Sequence, residues 1–360
     1  MSSLVIVLTV LAICYDAAAA GLSPNPTPTV VKGDWTCLPN KASTTLSASG
    51  SITWKRENCT NSQDPAVQAA PQLVVNVLEV DLTAQDVRLA PAVSQDADQP
   101  LQPINAIAAG NSPARNFVAG INGGYFWRTD ITPYWIDDVC RKKIRKEALT
   151  PADTEPFNPN NGLHDGVIMV DGHVLGSNCD CKGYSRPAIL NDGTPATWHI
   201  DVVDRGQQGP SDMQNGIAAG PNLVSYNTTG TGADTIAQTF IDIPADDDNI
   251  NIHEHAANTA VGVIFDTATG KAKTMFLVTT DGSDECGRLD ESCGINAPTL
   301  ASLMKDRYEV HQAMSMDQGG STTMWVKKEE GSGGTADGVV SYSGGGARNV
   351  ANGFFIEVVE

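Results

Sequence analysis

Two loops in this chain set groups capable of chemistry beside paired glycines. The segment Met316-Asp317-Gln318-Gly319-Gly320-Ser321-Thr322-Thr323-Met324 places one carboxylate, two adjacent glycines and three hydroxyls between apolar runs. In Ile121-Asn122-Gly123-Gly124-Tyr125-Phe126-Trp127, an amide precedes a second glycine pair and aromatic rings follow it. Backbone N–H groups around a Gly-Gly pair can form a concave nest for an anion, and missing Cβ atoms let a ligand approach the main chain. On that reading Asp317 sits beside bound negative charge. Asn122 then hydrogen-bonds a sugar or phosphate, with Tyr125 or Trp127 as a stacking face. Taken one at a time, each loop also reads as a hairpin connection, because glycine supplies φ > 0 and Asn-Gly between apolar runs is a strong turn signal.

The elements that must position these loops are mostly strands. Ala313–Met316 and Met324–Val326 read as short strands, so the Asp317 segment joins strand ends, where chemistry often sits. Further strands are predicted over Leu73–Leu82, Phe117–Ile121, Val167–Val170, Ala260–Phe265, Lys273–Thr279 and Gly353–Val359. One helix is well signalled: Asn296 caps it, Pro298 suits its first turn, and Leu300, Leu303, Met304 and Tyr308 share a face. A strand, helix, strand order across Thr274 to Met316 sets Asp281-Gly282 and Asp317 at like ends of two strands, if these are parallel neighbours. Both carboxylates would then face one cleft. The expected fold class is α+β, with β-rich mixed sheets, few helices and one main catalytic domain.

The first segment is different in kind. Leu4 to Ile13 is an apolar core followed by Ala17-Ala18-Ala19-Ala20, so residues 1–20 are expected to be a secretory signal. Residues 21–72 read as a Pro-rich linker and a small Cys-bearing segment, and residues 73–360 as the main domain. Export favours disulfides. Cys37 with Cys59 and Cys286 with Cys293 are candidate pairs, while Cys140, Cys179 and Cys181 leave one thiol over; spacing does not fix connectivity. Asn58-Cys59-Thr60 and Asn227-Thr228-Thr229 are glycosylation sequons. A formal charge of −19, from 42 acidic against 23 basic residues, argues against nucleic acid or anionic membranes as partners. No later stretch is long and apolar enough to span a bilayer, so no stable membrane insertion is expected. The charged insertion between Arg128 and Asp165 should drape over the surface. His253-Glu254-His255 and His164-Asp165 lack a third ligand and read as solvated polar residues. Asp246-Asp247-Asp248 lacks the glycine and glutamate of a calcium loop.

Four stretches in order resemble the motifs of the phosphodiester glycosidase family. They are Ile121-Asn122-Gly123-Gly124-Tyr125-Phe126, Ala218-Ala219-Gly220-Pro221-Asn222-Leu223-Val224, Asp317-Gln318-Gly319-Gly320-Ser321-Thr322-Thr323-Met324, and Arg348-Asn349-Val350-Ala351-Asn352-Gly353. The resemblance spans roughly residues 73 to 360. It implies a secreted hydrolase acting on a sugar-1-phosphodiester or related glycosidic bond, with a glycan-type substrate and no obligatory metal or other cofactor. Such a reaction passes through an oxocarbenium-like state and commonly uses two carboxyl groups. Asp317 is the first candidate and Asp281 the second, with Asn122 beside them. Gly123, Gly124, Gly319 and Gly320 are candidate main-chain donors to phosphate oxygens, and Arg348 or Arg186 the candidate positive charge. Tyr125, Ser321 and Thr322 complete the expected substrate contacts. Two departures stand out: the family usually has a third glycine where this chain has Gln318, and an arginine where Asn258 precedes Thr259-Ala260. A non-catalytic carbohydrate-binding protein of the same fold is the alternative that Gln318 suggests.

Overall fold

The computed structural model describes residues 35–62, 67, 73–96, 99–112, 114–126, 164, 166–176, 186–203, 209–225, 255–282, 294–327, 338–343 and 348–359. Residues 1–20, where a signal is expected, Trp127, most of the 128–165 insertion, Asn227, the 246–248 run, His253, Glu254 and five of the seven cysteines after residue 20 (140, 179, 181, 286, 293) lie outside them.

Strands are numbered β1 to β17 along the chain and form three sheets. The largest runs β1 (Trp35–Thr45), β2 (Ile52–Asn61), β3 (Leu73–Asp81), β13 (Ala272–Thr280), β12 (Asn258–Phe265), β14 (Gln312–Ser315), β11 (Asn222–Val224). A second runs β16 (Val339–Tyr342), β15 (Thr323–Val326), β5 (Phe117–Asn122), β17 (Asn352–Val358), β4 (Val87–Val93). The third runs β7 (His173–Gly176), β6 (Ile168–Val170), β10 (Asn215–Ala218), β8 (Arg186–Asn191), β9 (His199–Val203). Every pairing among the described strands is antiparallel. The central strands β12 and β13 are dense in Val, Ile, Leu and Phe, side chains that pack well on a pleated surface. One face of the large sheet meets the other two sheets in a shared core; the other face is covered by helix Ala297–Ser302 and the π-turn Leu303–Arg307 that continues it. Asn296 caps that helix as expected, its Oδ1 accepting the Thr299 N–H at 2.9 Å.

The segment before Leu73, read from sequence as a separate Cys-bearing piece, is the edge of the large sheet. β2 pairs with β3 from Ile52 to Cys59, and Ile52 and Trp54 sit in the main core. Lys55, Arg56 and Glu57 interrupt its apolar pattern, which is why the strand is hard to read locally. Cys37 and Cys59 lie directly opposite each other on β1 and β2 and form a disulfide.

The expectation of parallel neighbours at Asp281 and Asp317 is corrected. β13 and β14 do run the same way, but β12 lies between them and pairs antiparallel with both. They still end at the same edge. The hairpin alternative fails for both glycine loops: the Asp317 segment leaves β14 in one sheet and enters β15 in another, and β5 pairs with β15 and β17, neither adjacent in sequence.

Directly opposed residues in antiparallel strands share a face, so the register shows what each row of the inter-sheet core contains. Trp54, Leu78, Leu277, Val261 and Met314 form one apolar row across five strands. Two residues nearer the edge, the row is Arg56, Asn76, Thr279 and Thr259. In the facing sheet, Ile121, Met324 and Phe354 line the same core, and Ser341 stands opposite Met324. The core therefore turns polar at this end of the sandwich across β2, β3, β13 and β12, with Met316 beside Thr259 still apolar.

Candidate active site

Asn122 ends β5, wholly buried, and its side chain is spent on the scaffold. Its Oδ1 accepts the Thr259 hydroxyl at 2.7 Å and the Thr323 N–H at 3.0 Å, and its Nδ2 donates to the Asp317 carbonyl at 2.7 Å. One amide thus ties both sheets to the Asp317 loop. The next residue adds a second tie, since the Asp317 N–H donates to the Gly123 carbonyl at 2.9 Å. Asp317 is left partly exposed, with Oδ1 accepting the N–H of Gln318 at 3.0 Å.

The four glycines expected as phosphate donors divide. The Gly123 N–H continues the sheet ladder to the Asn352 carbonyl at 3.1 Å, and the Gly319 N–H donates to the Ala257 carbonyl at 2.8 Å, so neither holds a ligand oxygen. Gly123 and Gly124 are buried where side chains cannot fit: a Cβ would lie 2.0 Å from Asn352 Oδ1 and 2.1 Å from the Ala218 carbonyl oxygen. Gly319 instead has φ +62° and faces open space. Gly320 lies beneath the Arg348 guanidinium, whose Nη2 is 2.2 Å from where its Cβ would be. Arg348 therefore reaches the Asp317 loop. Arg186 is buried at 7% exposure with its guanidinium 5.1 Å from the Tyr125 ring centroid, and the Tyr125 hydroxyl donates to the Gly220 carbonyl at 2.6 Å. These two side chains pack on each other, and Tyr125 stays half-buried. Ser321 and Thr322 are buried, and their hydroxyls have no protein partner among the described residues.

Asp281 follows β13 on the same face as Thr279 and enters the polar end. Its Oδ1 accepts the Ser341 hydroxyl at 2.7 Å across the sheet gap, and its Oδ2 accepts from Arg56 Nη2 at 3.4 Å. Burial pushes its carboxyl above the usual range, against the opposing pull of the Ser341 hydrogen bond and the Arg56 charge. Asp281 and Asp317 thus reach the same end of the sandwich from different supports.

Sequence reasoning missed Arg56, Ser341, Asn352 and His164. Asn352 Nδ2 meets His164 Nδ1 at 3.0 Å, and burial lowers the imidazole pKa to about 4. His164, expected to be solvated, is a neutral half-buried acceptor. Asn352 ends one of the motif stretches, so its position carried a signal. Ser341 and Arg56 carried none, because only the register brings them to Asp281. The two departures from the family pattern also find places. Gln318 has φ −116° and ψ −175°, extended backbone open to any residue. Asn258 points to the helix-covered face, away from Thr259, and donates to the Ala256 and Ile295 carbonyls at 2.9 and 2.5 Å. Glu79 pairs with Lys55. Among the described residues, the one cluster with metal-ligating atoms close together is Cys37, Glu57 and Cys59, whose sulfurs are spent on the disulfide.

Residues 115–357 match the model of a family described as phosphodiester glycosidase. No curated protein matches the chain. Among solved structures, it is similar to the zebrafish N-acetylglucosamine-1-phosphodiester alpha-N-acetylglucosaminidase catalytic domain auto-inhibited by its pro-peptide, with a TM-score of 0.49, 15% identity, and coverage of 94% of this chain and 85% of that one. A hypothetical protein from Synechocystis gives a TM-score of 0.47 at 13% identity, covering 86% of this chain; this chain spans 62% of that protein's length. A putative exported protein from Burkholderia pseudomallei gives 0.47 at 15% identity, covering 84% of this chain and 77% of its own.

Proposed function

The chain belongs to the phosphodiester glycosidase family, and on that premise we propose that it is a secreted hydrolase cleaving the bond between a sugar's anomeric carbon and a phosphodiester. The observation that carries the proposal is Asp317, partly exposed at the polar end while its own N–H and carbonyl are pinned by Gly123 and Asn122. Pinning the backbone fixes where the carboxylate stands relative to charge that develops in the transition state. Asp317 faces the anomeric carbon and stabilises the oxocarbenium-like state, and Asp281, which keeps its proton to higher pH than an ordinary carboxyl, protonates the departing oxygen. The anomeric C–O bond breaks, the phosphate leaves with its oxygen and the Asp281 proton, and water adds at the anomeric carbon, the proton it sheds returning to the Asp281 carboxylate. Arg348, lying on Gly320, offsets the phosphate charge. Asn122 acts as a positioning residue. Secretion accords with the apolar segment at residues 4–13 and the Cys37–Cys59 disulfide.

The test is release of free sugar from UDP-N-acetylglucosamine and from a sugar-phospho-sugar, with wild-type protein and Asp317→Asn. Turnover in the wild type that drops about 1000-fold or more in the variant, with an unchanged melting curve, supports the proposal. Binding of both compounds without turnover would make this a carbohydrate-binding member of the fold.

A further inference from the structure

We propose that Arg56, from the N-terminal hairpin outside the family-matched residues, is a second cation on the substrate's phosphate beside Arg348, exchanging Asp281 for a phosphate oxygen when substrate binds. The inference rests on the site described above and deepens it by assigning specificity for a charged substrate.

Position is the first support. Arg56 stands beside Asn76 and, one strand further, Thr279, on the face that opens at the polar end, and it reaches Asp281 itself. Its present bonds are few and long. Nη2 meets Asp281 Oδ2 at 3.4 Å, and Nη1 meets the Val340 carbonyl at 3.4 Å, while the side chain stays 34% exposed. A guanidinium carries five donors in a planar fork suited to two oxygens of one phosphate, so such an anion offers it shorter, paired bonds than it makes here. In a chain of formal charge −19, a cation in the mouth is also what draws an anion there.

The residues beneath it are the second support. Asn76 is wholly buried, and neither its amide nitrogen nor its amide oxygen has a partner among the described residues; the same holds for the Thr279 hydroxyl. Buried polar atoms are nearly always paired, so this floor is built for a polar visitor. Amide and hydroxyl both donate and accept, which matches sugar hydroxyls next to the phosphate that Arg56 takes. Once Arg56 turns to the phosphate, Asp281 loses the positive charge that opposes its burial, and that loss favours the protonated acid.

The deciding experiment measures kcat and KM for wild type, Arg56→Met and Arg56→Lys on a sugar phosphodiester and on an uncharged aryl glycoside of the same sugar. Calorimetry of N-acetylglucosamine and N-acetylglucosamine-1-phosphate runs alongside. Arg56→Met should raise KM for the phosphodiester about tenfold or more and leave KM for the neutral glycoside within about twofold. Arg56→Lys, which keeps charge but not the fork, should fall between and serves if the methionine variant melts early. Equal losses on both substrates would mean that Arg56 only props Asp281, and the inference fails. If wild type turns over neither compound, the hydrolase reading fails, and binding decides the inference. A preference for the 1-phosphate that Arg56→Met abolishes upholds it; no preference in the wild type overturns it.

Discussion

The two glycine pairs look alike in sequence and do opposite work. Gly123 and Gly124 are buried, and contact distance rather than backbone torsion demands them, because Asn352 and the Ala218 carbonyl occupy the Cβ positions. Gly319 and Gly320 form a short 3₁₀ turn with Ser321 at the open end, one at positive φ and the other under the Arg348 guanidinium. The first pair brings strands and sheets together; the second clears space around a carboxylate. Paired glycines therefore mark close approach in general, and only their neighbours tell whether the approaching body is protein or ligand.

If that contrast holds, Gly124→Ala has the largest effect, because backbone must move to admit its Cβ: a stability loss of about 3 kcal/mol or more in urea melts. The scaffold side is also acid-sensitive. His164 stays neutral in the fold down to about pH 4, whereas an unfolded imidazole takes its proton near 6.5. Its contribution is complete above pH 6.5 and is lost as pH falls toward 4, by on the order of 3 kcal/mol. Urea melts at pH 7.5 and 4.5 should show that difference in wild type and little of it in His164→Gln. Asn122→Ala bridges the two regions. It strands the Thr259 hydroxyl, the Thr323 N–H and the Asp317 carbonyl, which should cost about 2 kcal/mol of stability and about 100-fold in kcat through a misplaced Asp317.

On the loop side the effects should be smaller and differently distributed. Gly320→Ala displaces only the end of the Arg348 side chain, so melting should hold while kcat/KM falls about tenfold. Gly319→Ala meets no neighbour and bears only the left-handed backbone, about 1 kcal/mol. Equal stability losses at Gly124 and Gly319 would erase the distinction.

Legibility in the sequence followed the range of the interaction. β3, β5, β12, β13 and β17 were readable because apolar density over several residues specifies a strand locally, and the Asn296 cap announced its helix. β1 and β2 were not, because Lys55, Arg56 and Glu57 mask the alternation of Ile52 and Trp54. Asp317, Arg348 and the glycine pairs were found as motif residues. That Gly123 and Gly319 spend their N–H groups on protein was invisible, since those partners lie far along the chain. Arg56 and Ser341 depend on register alone, and no local pattern announces them at Asp281.

The Asn122 amide has a mechanical consequence. Its bonds run to β12 in one sheet, to β15 in the other, and to the Asp317 carbonyl, so the gap between the sheets and the height of that carboxylate above the cleft are a single coordinate. Packed interiors compress little, and the loop inherits that stiffness without rigid residues of its own. Pressure should thus disturb Asp317 only when it disturbs the whole sandwich.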